Sequence, residues 1–258
     1  MSNKDLNKKK AVHQLGVFGF FAMTASMVMT VYEYPSFASS GFKLVFFLVV
    51  GGLLWFLPVS LCAAEMATVE GWEKGGIYSW VGNTLGQRWG FSALFFQWFQ
   101  ITVGFVTMCF FILAALAYVF KVDALYKNPL AMFIGVAVIV WVLTFAQLGG
   151  TKYTEKISKI GLIGGIAVPI LILNIGLVAY FMTGGKSQID LSVKSLVPDF
   201  SDVKTLVIFA SFILAYMGVE ASASHVHELK EPNKMYPEVM IMLTVLTICL
   251  DAVGGLAV

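Results

Sequence analysis

Seven stretches of nearly unbroken apolar residues alternate with short polar segments along this chain, at roughly 15–38, 42–66, 90–120, 129–148, 157–182, 205–228 and 239–258. Each is about 20 residues or longer, the length an α-helix needs to cross a hydrocarbon layer of about 30 Å. A backbone in lipid must satisfy its own hydrogen bonds, so the pattern predicts an all-α, polytopic membrane helical bundle.

The polar positions inside the stretches carry the functional signal. In the sixth, Gly218 and an ionisable Glu220 stand in the middle of an apolar run from Phe209 to Glu228. A carboxylate centred in a span costs roughly 2.5–3.5 kcal/mol on insertion scales, so it faces a polar cavity or a partner. Gly218 lowers helix stability by about 1 kcal/mol relative to Ala and admits a close backbone or ligand. A small-residue packing face of Gly218, Ala221 and Ser222 accounts for the glycine but not for the glutamate. The first stretch holds Thr24, Ala25, Ser26 and Thr30 where a helix break can be satisfied by side chains, with Glu33 and Pro35 near its far end. The third, about 31 residues long, must tilt or protrude. Its Gln97, Gln100, Thr102 and Thr107 need internal partners, and Gly104 permits close approach.

Between the second and third stretches, Trp72, Tyr78 and Trp80 suit an interfacial or re-entrant helix. Gly149-Gly150 and three following lysines read as a tight turn, and residues 183–204 form the sizeable polar loop. The seventh stretch reaches Val258 with no polar flank, so the chain reads as cut there.

Composition agrees with the pattern. The chain is 59% hydrophobic and 12% charged with a mean hydropathy of +0.83, against about 45–50% apolar and 25% charged in soluble domains. The formal charge of +2 gives no reason to expect nucleic acid. Cys62, Cys109 and Cys249 stand singly in apolar spans, which supports neither a disulfide framework nor a zinc spacing. The first stretch is too long for a signal-peptide core and is expected to remain in the mature chain. Eleven of the 17 Lys and Arg residues fall on the N-terminal side, led by Lys8-Lys9-Lys10, and six on the other. That bias places the N-terminus in the cytoplasm and residues 183–204 outside. His225 and His227, two apart, point to different sides of a helix with no nucleophile–base pair or metal set beside them, so no enzyme and no cofactor is expected.

The motifs become specific in combination. Gly218-Val219-Glu220, then Glu228-x-x-x-Pro232-x-x-x-x-Pro237, with Gly75-Gly76-x-Tyr78-x-Trp80 after the second span, resembles the amino acid–polyamine–organocation transporter superfamily. Residues 24–35, 62–68 and 149–153 are similar to its glutamate/γ-aminobutyrate antiporters of bacterial acid resistance. The resemblance implies a 5+5 inverted-repeat transporter fold, with a cytoplasmic tail at 1–14, a first five-helix repeat at 15–182, an external loop at 183–204 and the first two helices of an incomplete second repeat at 205–258. It implies broken helices in the first and sixth spans, near Ser26-Met27-Val28 and Tyr216-Met217-Gly218. Tyr32 would face the path and Glu220 lie at the substrate or gate, with Phe105 and Met108 lining the third-helix wall. Ser-Met-Val-Met-Thr stands where many relatives have a glycine-rich first break. The implied activity is exchange of external glutamate for internal γ-aminobutyrate across the cell membrane. Exchange of other amino acids and a non-transporting membrane remnant stand as alternatives.

Overall fold

The structure is a computed structural model that describes residues 14–29, 31–72 and 75–258. The N-terminal basic tail, with Lys8-Lys9-Lys10, and also Thr30 and Lys74 lie outside the described residues.

Helix α1 (Val17–Val28) leads through a short 3-10 turn (Val31–Glu33) into α2 (Tyr34–Ala38). Pro35 lies in the first turn of α2, where its missing N–H leaves no bond unmade. Helix α3 (Lys43–Gly51) passes through a π-helical turn (Gly52–Phe56) into α4 (Leu57–Thr68). Among its described residues, the interfacial segment expected after the second span is helical over α5 (Ile77–Leu85), which is followed by α6 (Gln87–Phe120) and the single turn α7 (Ala124–Lys127). Asn128 opens α8 (Pro129–Gln147) by accepting from the N–H groups of Leu130 and Ala131. Helix α9 (Thr151–Gly161) runs through a second π-helical turn (Leu162–Ala167) into α10 (Val168–Met182). The polar loop contains the turn α11 (Val193–Leu196), and Asp202 caps α12 (Val203–Ala215). A 3-10 segment (Val219–Glu228) and α13 (Pro232–Ala257) complete the described chain.

Among the described residues, seven helical segments are long and apolar enough to cross a membrane, matching the seven stretches in number. Their ends differ where polar turns continue a helix beyond its apolar window. The fifth begins at Thr151 rather than 157, because α9 is an amphipathic helix carrying a Lys159–Glu155 ion pair. The seventh begins at Pro232 rather than 239, since proline suits a first helical turn.

The described chain divides into two compact units: residues up to Gly76 with Glu155–Val258, and Ile77–Thr154. In the first, α13 is the central element, packed against α1, α2, α3, α4, α10 and the 3-10 segment. Its core is aromatic. Phe20, Tyr34, Phe47, Phe56, Phe212, Tyr216 and Tyr236 are buried, and Phe212 meets Phe37 at 4.6 Å and Phe47 at 5.1 Å between ring centroids. In the second unit α5 lies along α6, while α8 buries none of its residues, as befits a helix whose apolar surface meets lipid.

Candidate functional site

Two interruptions in the spanning helices face each other within the first unit. Helix α1 ends at Val28, and Met29 is extended (φ −88°, ψ 122°) while its N–H still donates to the Ala25 carbonyl. The break therefore follows Ser26-Met27-Val28 instead of falling within them, and these three form the last helical turn. Nothing about a methionine in an ordinary extended conformation marks that end in the sequence. The last carbonyls of a helix lack onward intrahelical donors, so this turn presents partial negative charge. Ser26 is exposed with its hydroxyl turned back to the Ala22 carbonyl at 2.7 Å, Met27 is half-buried and Val28 buried. Tyr32, four residues beyond Val28, is half-buried in the 3-10 turn.

The second interruption lies at the expected residues. Helix α12 ends at Ala215, the N–H groups of Tyr216 and Met217 close tight turns onto Ile213 and Leu214, and Gly218 is left-handed at φ 102°. The chain then continues as ten residues of 3-10 helix. Runs of that kind beyond 3–4 residues are uncommon and mark strain or a hinge.

A backbone bond fixes how the two broken segments lie. The Leu15 N–H donates to the Glu228 carbonyl at 2.9 Å. At the other end, a methyl group placed on Gly218 would stand 4.0 Å from the Met27 carbonyl oxygen. Helix α1 and the 3-10 segment thus run antiparallel with their interruptions adjacent. Carbonyls end one segment and N–H groups begin the other, so the pair offers complementary partial charges for an ammonium and a carboxylate.

The other expected residues take different positions. Tyr216 is buried, its hydroxyl donates to the Leu48 carbonyl at 3.0 Å, and its ring stacks on Phe56 at 5.1 Å. That phenol anchors the interruption to α3. Glu220 is half-buried beside Tyr236, whose hydroxyl lies 2.9 Å from the Ser222 hydroxyl. Phe105 and Met108 are half-buried in the middle of α6 and belong to the second unit. At the far end of the 3-10 segment, His225 Nδ1 is 3.4 Å from a Glu228 carboxylate oxygen. A cleft of about 640 Å³ between α10, residues 186–189 and residues 256–258 includes none of the interruption residues.

The sequence reading missed Asp251. This carboxylate is 4% exposed in α13, on the side of the helix that meets the buried Tyr34, and it shares its surroundings with Glu33. Its signal was available: an acid in an apolar run is the feature that marked Glu220.

A sequence model described as an amino acid permease matches residues 15–258. The glutamate/γ-aminobutyrate antiporter of Lactococcus lactis subsp. cremoris is 61% identical over 253 residues, covering 98% of this chain and 50% of that protein. The antiporter of the same description from L. lactis subsp. lactis matches to the same extent. An uncharacterized transporter of Legionella pneumophila is 32% identical over 98% of this chain and 53% of its own length. The chain therefore spans about half the length of the curated relatives it matches. These relatives are described as transporters rather than enzymes.

Proposed function

The chain belongs to the amino acid permease family, and we propose that it supplies the substrate-binding interruptions of an exchanger that imports glutamate and exports γ-aminobutyrate across the cell membrane. The observation that carries this reading is the pair of antiparallel broken segments with Met27 and Gly218 side by side. Both proposed substrates carry an ammonium and a carboxylate, and the two segment ends offer opposite partial charges to those groups. Ser26, Met27 and Val28 contribute the carbonyl side and Gly218 the N–H side, with Tyr32 and Glu220 flanking the path and Tyr216 holding the second interruption in place. Phe105 and Met108, on α6 of the second unit, are proposed as substrate-contacting residues of that helix. We assign residues 15–182 to one repeat and 205–258 to the start of its inverted counterpart, with the N-terminus in the cytoplasm. Exchange of this kind needs no covalent chemistry, and we assign it a role in acid resistance.

Counterflow in liposomes tests the reading. Two proteins are reconstituted: residues 1–258, and residues 1–258 joined to the remaining half of the cremoris antiporter. Labelled external glutamate should enter the second preparation only when γ-aminobutyrate is loaded inside, while residues 1–258 alone should not exchange. Uptake by the joined protein that is indifferent to internal γ-aminobutyrate would falsify exchange of this pair.

A further inference from the structure

Helix α13 carries two buried polar side chains one turn apart that the exchange reading does not use. Asp251 is 4% exposed and Thr247 fully buried, and at i and i+4 they share a helix face. Among the described residues, neither Asp251 Oδ1 nor Thr247 Oγ1 has a hydrogen-bond partner. Thr244 shows the usual solution, donating to the Met240 carbonyl one turn back at 2.9 Å, and Thr247 does not follow it. Unpaired buried polar atoms are rare and each calls for an explanation.

The surroundings supply oxygens and negative charge but no described cation. The Tyr34 ring packs against Gly254, three residues beyond Asp251, which brings its hydroxyl near the carboxylate, and Glu33 adds a second carboxylate nearby. No Lys, Arg or His among the described residues forms an ion pair with Asp251. Several titratable groups on neighbouring elements have other surroundings. Glu65 on α4 is exposed, Lys43 on α3 interacts with Asp199, Tyr180 on α10 donates to the Lys186 carbonyl, and the histidines meet Glu228. Glu220 interacts with Tyr236, which is 15 residues, or about 22 Å, from Asp251 along α13.

We propose that Asp251 is a buried monocation site: one positive charge, a proton or a sodium ion, is taken up at the oxygens of Asp251, Thr247 and Tyr34. The shared chemistry is a single small cation neutralising a carboxylate that has no ion-pair partner among the described residues. The site is tied to the first interruption, because Tyr34 lies five residues beyond Met29 and its ring packs directly against Gly254 of α13. Cation occupancy thereby holds α2 against α13. Ion binding is read without transport, so the proposal stands or falls independently of the glutamate/γ-aminobutyrate exchange.

The test is thermal unfolding of the full chain in lipid nanodiscs, from about pH 5 to about pH 8, with sodium chloride or choline chloride at equal ionic strength. The folded chain holds a cation that the unfolded chain releases, so in choline the wild-type midpoint should fall as pH rises. Restoration of the midpoint at the alkaline end by sodium identifies sodium as the cation, and indifference to sodium identifies the proton. Asp251→Asn, neutral and nearly isosteric, should flatten both dependences. If that variant does not fold, Thr247→Val carries the test by removing one oxygen, and should shift the pH at which the midpoint falls or lose the sodium effect. A pH and sodium dependence identical in wild type and the variant that folds overturns the site.

Discussion

Gly218 adopts φ 102° with nothing nearer than the Met27 carbonyl, 4.0 Å from where a Cβ would lie, so its requirement is conformational rather than steric. Gly218→Ala should therefore cost about 1 to 2 kcal/mol of stability. Gly218→Asn should cost less, because asparagine tolerates the left-handed region. Unfolding midpoints of the two variants check the order. Tyr216→Phe keeps the ring on Phe56 and removes the donor to Leu48, which should lower stability by about 0.5 to 1.5 kcal/mol in the same assay. In the polar loop, Asp199 accepts from the Ser201 hydroxyl at 2.7 Å and its N–H at 2.9 Å, and these bonds hold its carboxyl below the usual carboxylate range. A depressed value means that the turn is held above the ordinary pKa of about 3.9 and released only as pH falls through the lower folded value. Hydrogen exchange at the Ser201 amide, taken relative to its intrinsic rate, should stay protected until the medium is more acid than that. Asp199→Asn should remove the pH dependence.

At the level of elements, the sequence marked the interruption that has a glycine and blurred the one that does not. Gly218 announces a left-handed turn, whereas the end of α1 falls at Met29 in a conformation open to any residue, so only the neighbourhood was legible. Glu220 is legible from its place in an apolar run, and Asp251 carries the same mark in the last stretch. The packing of α2 on α13 was beyond sequence reading altogether, since it depends on residues 34 and 254 meeting. A Cβ on Gly254 would overlap the Tyr34 ring. Gly254→Ala should destabilise the chain by about 1 to 3 kcal/mol, in the manner of overpacked cores. Tyr34→Ala in the same chain should recover part of that loss, and a double-mutant cycle on unfolding midpoints measures how much.

At the scale of the whole molecule, the seven apolar stretches correspond to seven helical segments able to cross a membrane among the described residues, because length and hydropathy alone set that number. Orientation rests instead on the lysine and arginine bias, whose Lys8-Lys9-Lys10 cluster lies outside the described residues. Ser187→Cys in the polar loop should react with an impermeant maleimide added outside intact cells, and labelling only from the cytoplasmic side would reverse the topology. Two of the spanning helices share a construction that bears on how such a bundle moves. Each contains a π-helical turn, Gly52–Phe56 or Leu162–Ala167, with a proline two residues after it, Pro58 or Pro169. Wide turns and prolines both loosen the regular hydrogen-bond ladder, and kinks in helices concentrate at them. Bending stiffness along these two helices is accordingly uneven: each behaves as two rods joined by a compliant collar, and a force on one rod turns it about the collar before it deforms the other.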